Sequence, residues 1–221
     1  MFGDFFAKIL ETRVEKLWQK SKIKSSMNPI LFIHGIGGNE EQYQPIIKFL
    51  RETGINNFYE FSYKNRFGLS PIKTAAEELA EFIEKNVKPT FGEAGKKSIN
   101  IIAISQGGII ALTYLKYFNN PNVKIERLFT ICSPHKGSRL AKIFNLRGLI
   151  DLRPNSELLK ELEIFVKENK INLYSIYTPF DLMVYPGWNA RAKYGKHKIM
   201  NKTRTTVYSI HIYSPPKSIL S

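Results

Sequence analysis

The stretch Asn-Ile-Ile-Ala-Ile-Ser-Gln-Gly-Gly at residues 100–108 constrains this chain more than any other. An apolar strand runs into Ser105, and the positions two before and two after that serine, Ala103 and Gly107, are both small. A serine on a sharp strand-to-helix turn is held in a strained backbone conformation that crowds those two positions together, so only small residues fit them. The usual pattern is Gly-x-Ser-x-Gly, and Ala103 adds one methyl to it. The strand is apolar at consecutive rather than alternate positions, as is the run around Ile131. Such strands are buried on both faces, which calls for helices above and below a parallel sheet.

The rest of the chain alternates in the way such a sheet requires. Strands are expected at residues 29–34, 58–63, 98–104, 125–132, 171–178 and 205–210, and helices at 42–53, 69–87, 106–118 and 156–169. In the helix over 69–87, Ile72, Ala76, Leu79, Ala80, Ile83 and Val87 recur close to a 3.6-residue period. The expected fold is α/β, with a mostly parallel central sheet of about six strands and helices on both faces. The 221 residues suit one domain. Residues 1–24 read as a separate N-terminal amphipathic helix, leaving 25–221 as the domain.

Composition narrows the partners. Hydrophobic content of 43% and charged content of 24% fit a globular protein, and no stretch approaches the roughly 20 apolar residues of a membrane-spanning helix. Asp4, Lys8 and Glu11 break the opening segment, so it lacks the apolar core of a secretory signal. The single cysteine, Cys132, lies in an apolar run and reads as a buried inert thiol, which suits a reducing cytoplasm. The net charge of +14 reads as a lysine-rich solvated surface. No zinc-finger spacing, RNA-binding aromatic signature or phosphate-cradling loop accompanies it, so nucleic acid is not an expected partner and no metal or cofactor is implied.

Function in open parallel sheets gathers at the carboxyl ends of the strands. There the sequence places His34-Gly35, Ser105, Ser133-Pro134-His135, Asp181 and His211. A serine hydroxyl becomes a nucleophile when a base takes its proton, and the base needs an acid to orient it; Ser105, Asp181 and His211 stand in the chain order Ser, Asp, His that such sheets use. Of the four histidines, His34 precedes a Gly-rich turn, His135 lies in the Ser-Pro-His-Lys-Gly loop, and His197 lies in a polar segment that reads as solvated. His211, just past an expected strand, is the candidate base. The tetrahedral intermediate of acyl transfer also needs two N–H donors. The candidates are the backbone N–H of Gln106, after the serine, and that of Ile36, in the turn His34-Gly35-Ile36-Gly37-Gly38.

From residue 29 onward the chain resembles the α/β-hydrolase superfamily, and within it the bacterial triacylglycerol lipases and PGAP-like esterases. The resemblance rests on Ile-Leu-Phe-Ile-His-Gly-Ile-Gly-Gly, Ile-Ile-Ala-Ile-Ser-Gln-Gly-Gly, Thr-Ile-Cys-Ser-Pro-His-Lys-Gly-Ser, Asp-Leu-Arg-Pro-Asn-Ser-Glu-Leu-Leu and the segments around Asp181 and His211. It implies an α/β-hydrolase fold and cofactor-independent hydrolysis of carboxylic esters, with lipid or acyl esters as substrates, through an acyl-serine intermediate. Acyl transfer or thioester cleavage by the same triad, and a non-catalytic binding module on the same fold, are the alternatives. The opening segment lies outside the resemblance. Phe2, Phe5, Phe6, Ile9, Leu10, Leu17 and Trp18 fall near one helical face, a pattern that suits packing on the domain or peripheral docking on an anionic membrane.

Overall fold

The computed structural model describes residues 28–88 and 97–200. Six strands, β1 (Ile30–Ile33), β2 (Phe58–Phe61), β3 (Lys97–Ile104), β4 (Val123–Ile131), β5 (Leu173–Tyr177) and β6 (Lys196–Ile199), form one sheet in the order β2-β1-β3-β4-β5-β6. Every neighbouring pair is parallel. Helices α1 (Gln44–Glu52), α2 (Ile72–Phe82), α3 (Gln106–Tyr117), α4 (Arg147–Ile150) and α5 (Glu157–Glu168) connect them. A 3-10 turn at Glu40–Tyr43 leads into α1, and a wider π turn at Ile83–Val87 extends α2.

The two faces of the sheet carry separate cores because successive side chains point to opposite sides. Leu31, Ile33, Ile101 and Ala103 pack with α2, α3 and α5, while Ile30, Phe32, Ile102 and Ile104 pack with Ile46, Ile47 and Leu50 of α1. All eight strand residues are at most 5% exposed, and each buried aliphatic contributes about 1.5–3 kcal/mol relative to a solvated one. Helix α3 shows why its segment carries no polar face: every residue from Gln106 to Leu115 is buried between the sheet and its neighbours.

The chain leaves β1 toward β2 by way of α1 on one face, then returns to β3 on the other side of β1 by way of α2 on the opposite face. That reversal opens a crevice at the carboxyl ends of β1 and β3, where open α/β sheets bind their ligands. His34-Gly35 and Ser105 lie immediately after those two strands.

The α/β fold, the parallel sheet of six strands and the helices on both faces are as expected. Five strands fall within two residues of their expected starts, but the sixth differs. Lys196–Ile199 forms β6, pairing with β5 from Tyr174↔Lys196 to Tyr177↔Ile199. Its side chains are mostly exposed, so backbone pairing rather than an apolar run defines it. The N-terminal helix expected over 1–24, the strand expected over 205–210 and His211 lie outside the described residues.

Candidate active site

Ser105 sits between β3 and α3 with φ 51° and ψ −122°, a region that side-chain-bearing residues rarely occupy. The turn is over-determined by its neighbours. Ser105 N–H donates to Ile131 O of β4 at 2.8 Å, which anchors it from the sheet side. A Cβ at Gly107 would lie 2.6 Å from His34 O and 2.7 Å from Ile33 O, so only glycine lets the first turn of α3 reach the end of β1. A Cβ at Gly35 would come within 2.9 Å of Ser105 Cβ, which brings the turn after β1 directly against the candidate nucleophile.

The amides of that turn separate into spent and unspent donors. Gly35 N–H donates to Gln42 Oε1 at 2.9 Å, Gly37 N–H to Arg66 O at 2.7 Å and Gly38 N–H to Gly35 O at 3.1 Å. Ile36 N–H has no hydrogen-bond acceptor among the described residues. The same holds for Gln106 N–H, which as the first residue of α3 has no acceptor one turn back. The Gln106 side chain is buried and accepts from Tyr63 Oη at 3.0 Å. Its amide is therefore fixed beside Ser105 by a hydrogen bond as well as by the helix start.

Asp181 follows β5 and is buried. Its Oδ1 accepts from Met183 N–H at 2.8 Å and Val184 N–H at 2.9 Å, so it forms the local turn that a loop aspartate commonly forms. Its Oδ2 is buried with no N–H or O–H donor among the described residues. A carboxylate oxygen in that state costs free energy unless a donor reaches it. Ser105 follows β3 and Asp181 lies in the loop after β5, so both belong to the carboxyl end of the sheet, with β4 between their strands.

Three of the four histidines are described, and none hydrogen-bonds Ser105. The ring of His34 stacks on Tyr63 at 4.4 Å, its Nδ1–H donates to Gly35 O at 2.8 Å, and its Nε2 lies 3.1 Å from Ser62 Oγ. Burial lowers its pKa to about 4, so it is neutral. The Nε2 of His135 lies 2.8 Å from Thr130 Oγ1, and burial lowers its pKa to about 3. His197 is not the solvated residue its polar segment suggests: it is half-buried on β6, with Nδ1 3.0 Å from Ser175 Oγ. Each of the three has a ring nitrogen engaged by a hydroxyl other than that of Ser105.

Two features escaped the sequence. Cys132 follows β4 with φ 51° beside Asp181, where burial first and the carboxylate second raise its thiol pKa well above the ordinary value; it stays an inert thiol. Gln42 fills the concavity of the turn at residues 34–38, because a Cβ on Gly38 would lie 2.4 Å from its Cδ. No sequence signal marks Gln42, since its role depends on how the 3-10 turn folds back on residues 35–38. Among the described residues no group of three or more His, Cys, Asp or Glu side chains is arranged to hold a metal ion.

The fold is that of the lipase BlEst2 from Bacillus licheniformis in its mature form, with a TM-score of 0.63, 15% identity and coverage of 86% of this chain and 89% of that one. The lysosomal thioesterase PPT2-B of Xenopus laevis is 24% identical over 114 residues, covering 51% of this chain and 38% of the relative. Triacylglycerol lipase 2 of Saccharomyces cerevisiae is 30% identical over 113 residues, covering 51% of this chain and 32% of the relative. The chain thus spans about a third of the length of the curated relatives it matches. Residues 29–180, from the residue before β1 to the residue before Asp181, match the family model described as palmitoyl protein thioesterase, so the chain belongs to the palmitoyl protein thioesterase family.

Proposed function

We propose that the protein is a serine hydrolase of acyl esters, with Ser105 as nucleophile, His211 as general base and then acid, and Asp181 orienting the imidazole. The observation that carries the reading is Ser105 at φ 51° with two unspent amides, Ile36 N–H and Gln106 N–H, beside it. The Oδ2 of Asp181, buried with no N–H or O–H donor among the described residues although the Cys132 thiol lies against the carboxylate, supports it, since an imidazole N–H would satisfy that oxygen. His211 is assigned as the base from the sequence, and the structural partners of the other three histidines support that choice.

In this mechanism the imidazole takes the Ser105 proton as Oγ attacks the ester carbonyl. The oxyanion is received by the Ile36 and Gln106 amides, whose lack of another acceptor supports that role. The intermediate collapses as the imidazolium gives its proton to the departing alkoxide, leaving an acyl-serine. Water, deprotonated by the same imidazole, releases the acid. A thiolate leaves by the same route, and the family match over residues 29–180 favours thioester cleavage as the second reading. No cofactor enters either route. The reading places the protein in the cytoplasm, with residues 2–18 either packing on the domain or attaching it peripherally to anionic membrane; no helix among the described residues is long and apolar enough to cross one.

The purified protein is expected to release p-nitrophenol from short and medium acyl esters and to be labelled by a fluorophosphonate at Ser105. Ser105→Ala should remove both signals, with residual turnover lower by about 10⁴-fold or more. Turnover that survives the substitution rejects the assignment, and parallel assays on acyl thioesters rank the two substrate classes.

A further inference from the structure

Three loops follow β2, β4 and β5 at the sheet end that carries Ser105, and hydrogen bonds tie them into one rim. The loop after β2 is joined to the turn after β1 by Gly37 N–H to Arg66 O at 2.7 Å. It is joined to the segment between β4 and α5 by Gly148 N–H to Gly68 O at 2.9 Å. That segment is joined to the loop after β5 by Arg139 N–H to Tyr185 O at 2.8 Å and by Ser138 Oγ to Met183 O at 2.8 Å. With its backbone satisfied in this way, the rim turns large apolar side chains outward. Phe67 is 64% exposed, Ile143 66%, Phe144 61% and Trp188 58%. Single exposed apolar residues are ordinary, whereas a group of this size on adjoining loops marks an interaction surface.

The charge on the same loops selects the partner. The segments 62–71, 132–156 and 178–195 carry two acids, Asp151 and the buried Asp181, against Lys64, Arg66, Arg139, Lys142, Arg147 and Arg191 among their cations. None of these six cations is in an ion pair with a described residue. A second copy of the chain would set these like charges against each other. An anionic lipid surface answers both features: phosphates meet the cations, and the apolar tips enter the boundary between headgroups and acyl chains. We propose that this rim, formed by the loops after β2, β4 and β5, docks the protein on anionic bilayers with the Ser105 crevice facing the lipid.

The test is co-sedimentation of the full chain with vesicles of phosphatidylcholine alone and of equimolar phosphatidylcholine and phosphatidylglycerol. The partition coefficient should be at least about tenfold higher on the anionic vesicles and should fall toward the neutral value at about 1 M salt. The double variant Ile143→Asp/Phe144→Asp, and separately Trp188→Asp, should each lower anionic partitioning by about tenfold or more. Far-ultraviolet circular dichroism and thermal midpoint check that each variant is folded; Phe67→Asp, on a different loop, replaces any that is not. Undiminished pelleting of the folded variants overturns the proposal and assigns binding elsewhere, residues 2–18 included. Equal pelleting on neutral and anionic vesicles overturns it, as does a concentration-dependent dimer that the variants abolish with no vesicle binding. Sedimentation reads no turnover, so this proposal and the ester-hydrolase reading fail separately.

Discussion

At the scale of single residues, the serine turn was legible because its requirements are local. Small residues at 103 and 107 are demanded by atoms within a few positions of Ser105, and the structure adds that Gly107 and Gly35 are also pressed by neighbouring segments. The turn after β1 was legible as a run of glycines, but which amide stays free depends on acceptors elsewhere: Gln42 Oε1 takes Gly35 N–H and Arg66 O takes Gly37 N–H. Gln42 therefore acts as a positioning residue for the turn. Gln42→Ala should lower kcat by about tenfold while KM changes less than about twofold, because the turn loosens without losing a donor to substrate; loss of a donor itself costs about 10²–10³ in kcat. Gln42→Glu, which retains an acceptor oxygen but sets a negative charge in the turn proposed to receive the oxyanion, should not recover the rate. Steady-state kinetics on one soluble ester checks all three, and an unchanged kcat in Gln42→Ala contradicts the role.

At the scale of elements, apolar runs revealed the strands with buried side chains. β6 remained hidden because Lys196, Lys198 and Ile199 face solvent, and its membership rests on pairing with β5 that no local pattern encodes. The same limit explains His197, whose partner Ser175 lies on the adjacent strand, 22 residues away. Contact between α3 and β1 is likewise a matter of approach rather than propensity. Gly107→Ala would place a Cβ 2.6 Å from one strand-end carbonyl and 2.7 Å from the next, so α3 would have to withdraw from β1. Although alanine favours helix, the substitution should destabilise the protein by about 3 kcal/mol, measured as a lower urea midpoint. An unchanged midpoint would mean that the helix start yields more easily than this packing implies.

At the scale of the whole molecule, two neutral histidines inside the fold link stability to pH. Burial holds His34 at about 4 and His135 at about 3, against an ordinary value of 6.5. Below 6.5 the unfolded chain takes up protons that the native state refuses, so the contribution is complete above that pH and is lost as pH falls toward the native values. The slope approaches about 1.4 kcal/mol per pH unit for each histidine. Chemical denaturation should show a loss of about 3–4 kcal/mol between about pH 7 and about pH 5. A flat profile over that interval would mean that both rings gain protons in the native state. Charge shows the same dependence on assembly: the net +14 reads as a uniformly solvated surface, whereas the fold gathers part of it beside exposed aromatics on the rim.

The sequence by itself determined the α/β class, the parallel core and the serine turn, because burial on two faces and crowding at a tight turn impose requirements on neighbouring residues. Only the tertiary structure decided which amides stay free, which carboxylate oxygen waits for a donor, where the last strand pairs and which loops share a rim. Those outcomes depend on acceptors, charges and backbone edges contributed by segments tens of residues apart, and no local pattern of residue types records where such segments meet.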